Sequence, residues 1–209
     1  MNLLLFLIQV FVISLSGAMS PGPVTAAAIA TGQRKRYAGV LLAIGHGMLE
    51  FPLMILIILG MSKFFESPNT QIAIGLAGGI VLVIMALQMI RGLHSHANPQ
   101  GEVPGDRPIW TGLVLSASNP YFLLWWATVG LALATAAKQL GIWAFVLFAV
   151  THWLCDCAWL QALSWGSFKG SSVLGPRGQR IVLFVCAVAL LFFGLFFICK
   201  ASTVLLRSF

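Results

Sequence analysis

Apolar residues do not alternate along this chain. They run in six long blocks, roughly residues 4–33, 38–61, 70–91, 109–136, 141–165 and 180–203. A helix of about 20 apolar residues crosses a hydrocarbon layer ~30 Å thick. The pattern therefore predicts an all-α membrane protein with six transmembrane helices. The first and fourth blocks are long, and proline interrupts each: SPGP at 20–23 and SNP at 118–120. These two helices are expected to be broken. Pro52, by contrast, reads as a plain kink. The longest polar stretch, HSHANPQGEVPGDRP at 94–108, is a predicted cytoplasmic linker between a first three-helix repeat (1–93) and a second (109–209). Three spans per half force the halves into opposite orientations, so a 3+3 inverted repeat is expected.

Few polar residues interrupt the blocks, and those few are patterned. GHGMLEFP at 45–52 holds His46 and Glu50; THWLCDCAW at 151–159 holds His152 and Asp156 at the same spacing. A spacing of four puts each acid one helical turn from its histidine, on the same face. Glu50 and Asp156 are the two acids inside the blocks. A buried acid at a helix centre costs ~2.5–3.5 kcal/mol on insertion scales, which is too much for decoration. A single such pair reads equally well as a structural link between helices; two pairs in corresponding places favour proton coupling.

Depth brings these features together. Pro23 lies 11 residues before Arg34, Asn119 lies 10 after Ile109, His46 lies 10 after Arg36, and His152 lies 11 after Gly141. Ten helical residues span ~15 Å, half the hydrocarbon layer. Breaks and ionisable pairs thus converge near the midplane. At SPGP, Ser20 is predicted to cap a new helix, with Pro21 or Pro23 in its first turn; at SNP, Asn119 caps and Pro120 follows. Each break leaves free N–H groups and a positive dipole end at mid-depth, suited to a substrate carboxylate. Ser20, Pro21, Gly22, Pro23, Asn119 and Pro120 are therefore the candidate substrate-binding residues. His46, Glu50, His152 and Asp156 are the candidate proton-coupling residues.

Composition agrees. Of the 209 residues, 59% are hydrophobic and 8% charged, with a mean hydropathy of +0.96; soluble domains carry roughly 25% charge. The net charge of +7 does not imply nucleic acid, because no basic face accompanies it. Arg34, Lys35, Arg36, Arg91, Arg107, Lys169, Arg177 and Arg180 fall on one side of the predicted membrane. Lys63, Lys138, Lys200 and Arg207 fall on the other. Basic loops stay in the cytoplasm, so both termini are predicted outside. The N-terminal run lacks a basic leader and is longer than a signal-peptide core; it reads as part of the first span. The four cysteines lie within apolar blocks and read as small packing residues. His94 and His96 read as solvated loop. Gly75, Gly78 and Gly79 permit close helix packing, within the bundle or in a homodimer.

SPGP at 20–23, GQRKRYAG at 32–39, Gly45, Gly60 and the Asn119–Pro120 pair together resemble the lysine exporter (LysE/RhtB) superfamily, over essentially the whole chain. The resemblance implies bacterial-type inner-membrane exporters of amino acids and related small metabolites, driven by the proton gradient or membrane potential. It also implies functional weight on Pro21, Gly22, Pro23, Asn119 and Pro120. Val24 and Tyr121 depart from residues common at those places.

The expected function is secondary-active, proton-coupled export of an amino acid or related metabolite, without a cofactor and without enzymatic activity. The sequence has no HExxH, serine–histidine or aspartyl-dyad signature. The alternative is export of a divalent metal, with His46, Glu50, His152 and Asp156 as ligands and Cys155 as a softer one. A membrane scaffold without transport is a third class; it leaves both ionisable pairs unexplained.

Overall fold

The computed structural model describes residues 2–20, 22–61, 67–94 and 107–206. Among these residues there is no strand. Helix α1 (Leu3–Ala18) and helix α2 (Pro23–Gly32) form a first span bent by 74° at its break. Helix α3 (Ala38–Leu56) runs on through a wider π-type turn at Ile57–Met61, and Gly60 ends the span in the left-handed region (φ 97°). A residue with a Cβ is strained there, so glycine is the natural stop. Helix α4 spans Pro68–His94.

The fourth span divides into α5 (Pro108–Ala117), α6 (Pro120–Trp125), a π-type turn (Trp126–Gly130) and α7 (Leu131–Leu140). Proline lacks an N–H and pushes the preceding residue out of helical geometry. Asn119 is accordingly extended (φ −98°, ψ 101°). The span ends four residues later than hydropathy suggested, where Gly141 takes φ 109°. Tyr121–Leu140 is long and apolar enough to cross alone, while α5 is a shorter apolar helix.

The rest, α8, is helical from Ile142 to Leu206. It contains two candidate spans, Ile142–Gly170 and Arg180–Leu205. Asp156 and Phe197 line one cavity, although a straight helix would separate them by about 60 Å. The chain therefore doubles back between the two spans. Counting the bent first pair as one, the described residues form six helices of membrane-crossing length and composition. Lipid-facing residues account for the many exposed apolar side chains, such as Leu59, Trp143 and Phe192.

Glycines set the helix spacing. A Cβ on Gly39 would strike the Leu160 backbone, one on Gly112 the Leu42 backbone, and one on Gly45 the Ile109 backbone. These contacts draw α3 against both α5 and the first half of α8. Gly75 meets Ala201, Gly79 meets Gly194 and Ile198, and Gly78 meets the Ser118 carbonyl. The glycine face of α4 is thus used inside the chain. Polar contacts lock the same seams: the Trp153 indole donates to the Ala43 carbonyl (2.9 Å), and Gln161 bonds Val40 N–H (3.2 Å) and the Arg36 carbonyl (2.8 Å).

Candidate functional site

The two helix breaks and the two ionisable pairs open onto one cavity of about 350 Å³. Its volume is near the lower end of the ~300–1,000 Å³ usual for small-molecule sites. Ser20, Gly22, Pro23 and Thr25 line it from the first break, and Asn119 from the second. His46 and Glu50 reach it from α3, and His152 and Asp156 from α8.

The breaks differ in detail. At the second, Asn119 caps as its sequence suggests: its Oδ1 accepts from the Tyr121 N–H (3.1 Å). At the first, the helix cap is Gly22, not Ser20, because Pro23 occupies the first helical position. Gly22 is extended (φ −165°, ψ −178°) and brings no side-chain cap; the first backbone bond of α2 runs from Ala26 N–H to Gly22 C=O (3.0 Å). The Ser20 hydroxyl instead points back to the Ser16 carbonyl (3.5 Å), and Thr25 Oγ1 donates to the Ser20 carbonyl (3.3 Å). Pro21 lies outside the described residues. Pro120 opens α6.

The four ionisable residues form a single cluster. Glu50 Oε1 lies 3.2 Å from His46 Nε2 and 3.1 Å from His152 Nε2. Asp156 Oδ2 lies 3.5 Å from His152 Nε2 and 3.8 Å from His46 Nε2. Nitrogens and oxygens alternate around this ring. Glu50 is sealed from solvent, whereas the Asp156 side chain keeps 13% exposure. The two acids are therefore unlike: Glu50 bridges both imidazoles at hydrogen-bond distance, and Asp156 is held more loosely at the cavity surface.

Each imidazole is also held from behind, by a serine of the other half. His46 Nδ1 lies 2.7 Å from Ser116 Oγ on α5, and His152 Nδ1 lies 2.7 Å from Ser14 Oγ on α1. Both serines are fully buried. Ser116 spends its own proton on the Gly112 carbonyl (2.7 Å), so it accepts from His46 Nδ1–H. His46 Nε2 then faces Glu50 Oε1 with one proton between them, whether as imidazolium and carboxylate or as imidazole and acid. Aromatic rings close around the cluster: Phe122 meets His46 edge-on (4.8 Å), Trp125 stacks on His152 (5.0 Å), and Trp126 meets it edge-on (5.0 Å).

Several of these partners escaped the sequence reading. Ser14 and Ser116 are single hydroxyls in apolar helices, a pattern too common to single out without a partner in view. Phe193, Phe196 and Phe197 carried no signal beyond hydrophobicity. Cys155 is buried away from the cluster, with its sulfur 4.0 Å from the Phe11 carbonyl, and does not line the cavity. Donor atoms of His46, Glu50 and Asp156 lie within 4.8 Å of one another, a separation compatible with sharing a cation.

The sequence matches the LysE type translocator family over residues 15–201. The chain belongs to this family. The translocator is thus a multi-pass membrane transporter of small molecules rather than an enzyme. The matched region contains both helix breaks and all four members of the His/acid cluster. No curated protein and no solved structure matches the chain.

Proposed function

We propose that the translocator is a secondary-active exporter of amino acids or related small metabolites across a bacterial-type inner membrane, driven by inward proton movement. One observation carries the reading: two interrupted helices and a four-membered His/acid cluster line the same cavity. The Gly22 end of α2 lacks a side-chain cap, so its first N–H groups and dipole are available to a substrate carboxylate. Asn119 spends one amide of the second break on its own cap and leaves the dipole. The cluster supplies the opposite charge for an ammonium group and a store of exchangeable protons. A proton entering the ring displaces the ammonium, and an arriving ammonium displaces the proton; that competition is sufficient for antiport.

The crossed braces, Ser14 to His152 and Ser116 to His46, support a 3+3 inverted repeat. In each, the second span of one half is held by the first span of the other. In such transporters one repeat rocks against its counterpart around a fixed midplane site.

A second reading has its own observation. A first-row metal with ligand bonds of 2.0–2.1 Å in a tetrahedron has ligand–ligand edges of about 3.3–3.4 Å. The ring edges here run from 3.1 to 3.8 Å. In that reading the metal is cargo. The dipole ends at the breaks repel a cation, which favours the amino-acid reading.

The deciding experiment is proteoliposome transport under an imposed pH gradient, with an internal pH dye. Amino acids are added in one series and Mn²⁺, Zn²⁺, Co²⁺ and Ni²⁺ in another. Amino-acid-driven proton flux, lost in a Glu50→Gln/Asp156→Asn double variant, is expected. Flux driven by metal alone would overturn the proposal in favour of the second reading.

A further inference from the structure

The cavity is polar on some walls and wholly aromatic on another. Among the described residues, the final span contributes Phe193, Phe196 and Phe197 to the lining and no polar side chain. Tyr121, Phe122 and Trp125 follow the second break. Phe197 is nearly buried, and its ring lies 6.3 Å from that of Phe193 and 5.9 Å from that of Phe196. Among the described residues no lysine or arginine lines the cavity, and the carboxylates that do are Glu50 and Asp156.

Those two acids decide which side chains fit. Both line the cavity, but Glu50 has no exposed surface and bridges two imidazoles, so Asp156, with 13% of its side chain exposed, is the acid left for a substrate. A zwitterion's ammonium group, or the coupling proton, occupies it. A second cation on the substrate, lying along the side-chain wall, would then find no free carboxylate there. The phenylalanine faces offer a cation–π attraction of about 0.5–2 kcal/mol, less than the cost of stripping the cation of its water. A hydroxyl or amide placed against the three phenylalanines would lose its water without a partner, an unfavourable exchange.

We infer that the substrate is an α-amino acid, or a close zwitterionic relative, with a neutral apolar side chain. Its headgroup lies between the break at Gly22 and Asp156, and its side chain lies against Phe193 and Phe197. This rests on the exporter reading above and specifies its substrate. Phe193 and Phe197 are then specificity residues, and Asp156 is the residue at which ammonium and proton exchange. Hydrophobic contacts of this kind discriminate by about 10- to 200-fold per methylene, so selectivity should be graded by side-chain size.

The test combines binding and transport. Purified protein in detergent is titrated with leucine, phenylalanine, threonine, lysine and arginine, with thermal stabilisation as the readout. The same five are then offered to proteoliposomes. Leucine or phenylalanine should stabilise the protein and drive flux at concentrations at least 10-fold below threonine, with lysine and arginine inactive. Phe193→Ser should weaken leucine at least 10-fold. Because Phe193 also packs on the core, Phe193→Leu, which keeps most of that packing, should melt close to the parent and shift the relative potency of leucine and phenylalanine. Lysine, arginine or threonine acting better than leucine would overturn the inference and leave the exporter reading standing. Binding of leucine without proton flux would keep the inference and overturn the coupling. No response to any of the five would overturn both.

Discussion

Glu50 and Asp156 have equal spacing from their histidines but unequal surroundings, and the difference predicts unequal variants. Glu50 Oε1 makes the two shortest contacts of the ring and is sealed from solvent. Replacing it with glutamine removes the titratable carboxyl and disturbs both imidazoles at once. Breaking a buried pair costs about 3–5 kcal/mol in soluble proteins, and even a neutral hydrogen bond between membrane helices is worth roughly 1–2 kcal/mol in model peptides. Glu50→Gln should therefore lower the melting temperature in detergent as well as abolish coupled flux. Asp156→Asn should insert and melt close to the parent while losing flux; equal destabilisation by both substitutions would contradict the asymmetry. Ser116→Ala and Ser14→Ala each remove the partner of a buried imidazole nitrogen, an omission worth about 1–3 kcal/mol. They should impair flux to a similar degree, measured in the same vesicles, and Ser116→Gly should do no better. The His/acid pairs were legible in the sequence because buried charge is conspicuous. That they close into one ring was not legible, since the meeting depends on how α3 and α8 are rotated by contacts such as Gly39 against Leu160.

At the scale of elements, glycine positions separate close contacts from open surface. A Cβ at Gly78 would run into the Ser118 carbonyl, beside the second break, and one at Gly112 into the Leu42 backbone. Gly78→Ala and Gly112→Ala should each push helices apart, with a cost of about 1–3 kcal/mol by analogy with overpacked cores, read as lower folded yield and melting temperature. Gly166→Ala and Gly170→Ala meet no atom within 4 Å and should be neutral or gain up to ~1 kcal/mol from helix propensity. Destabilisation at Gly166 equal to that at Gly112 would refute the distinction. The breaks themselves were readable, since proline forces them. Their caps were half readable: Asn119 caps as expected, but the residue before Pro23 is Gly22, and the geometry imposed by that proline displaced Ser20 from the role. The π-type turn at Trp126–Gly130 has no proline to announce it. There Thr128 Oγ1 donates to the Leu124 carbonyl (2.8 Å), a local competition that hydropathy cannot register.

For the whole molecule, the direction of transport depends on which way the two halves face. By the six-block reading of the sequence, eight of twelve basic residues are expected on the side of the Arg34–Arg36 turn, and that side should be cytoplasmic. Exposed Arg36 and exposed Lys138 lie on opposite predicted sides. In a variant whose four cysteines are replaced by alanine, Lys138→Cys should react with a membrane-impermeant maleimide in intact cells, and Arg36→Cys only after permeabilisation. The orientation bears on mechanism because the two halves of the cavity wall are not interchangeable. The long arm α1 precedes the first break and the short arm α5 precedes the second. With the termini outside, the short arms α2 and α5 both lie on the cytoplasmic side of their breaks, while α1 and the α6–α7 stretch both lie outside. The uncapped N-terminus of α2 then faces outward from the break, and a substrate carboxylate arriving from the cytoplasm must pass α2 and α5 before reaching it. Those two short arms, 10 residues each, are the segments whose displacement would open an inward path. Reversed labelling would instead put the short arms on the external side and make them the exit. The labelling result therefore fixes which pair of helices must move first when substrate enters.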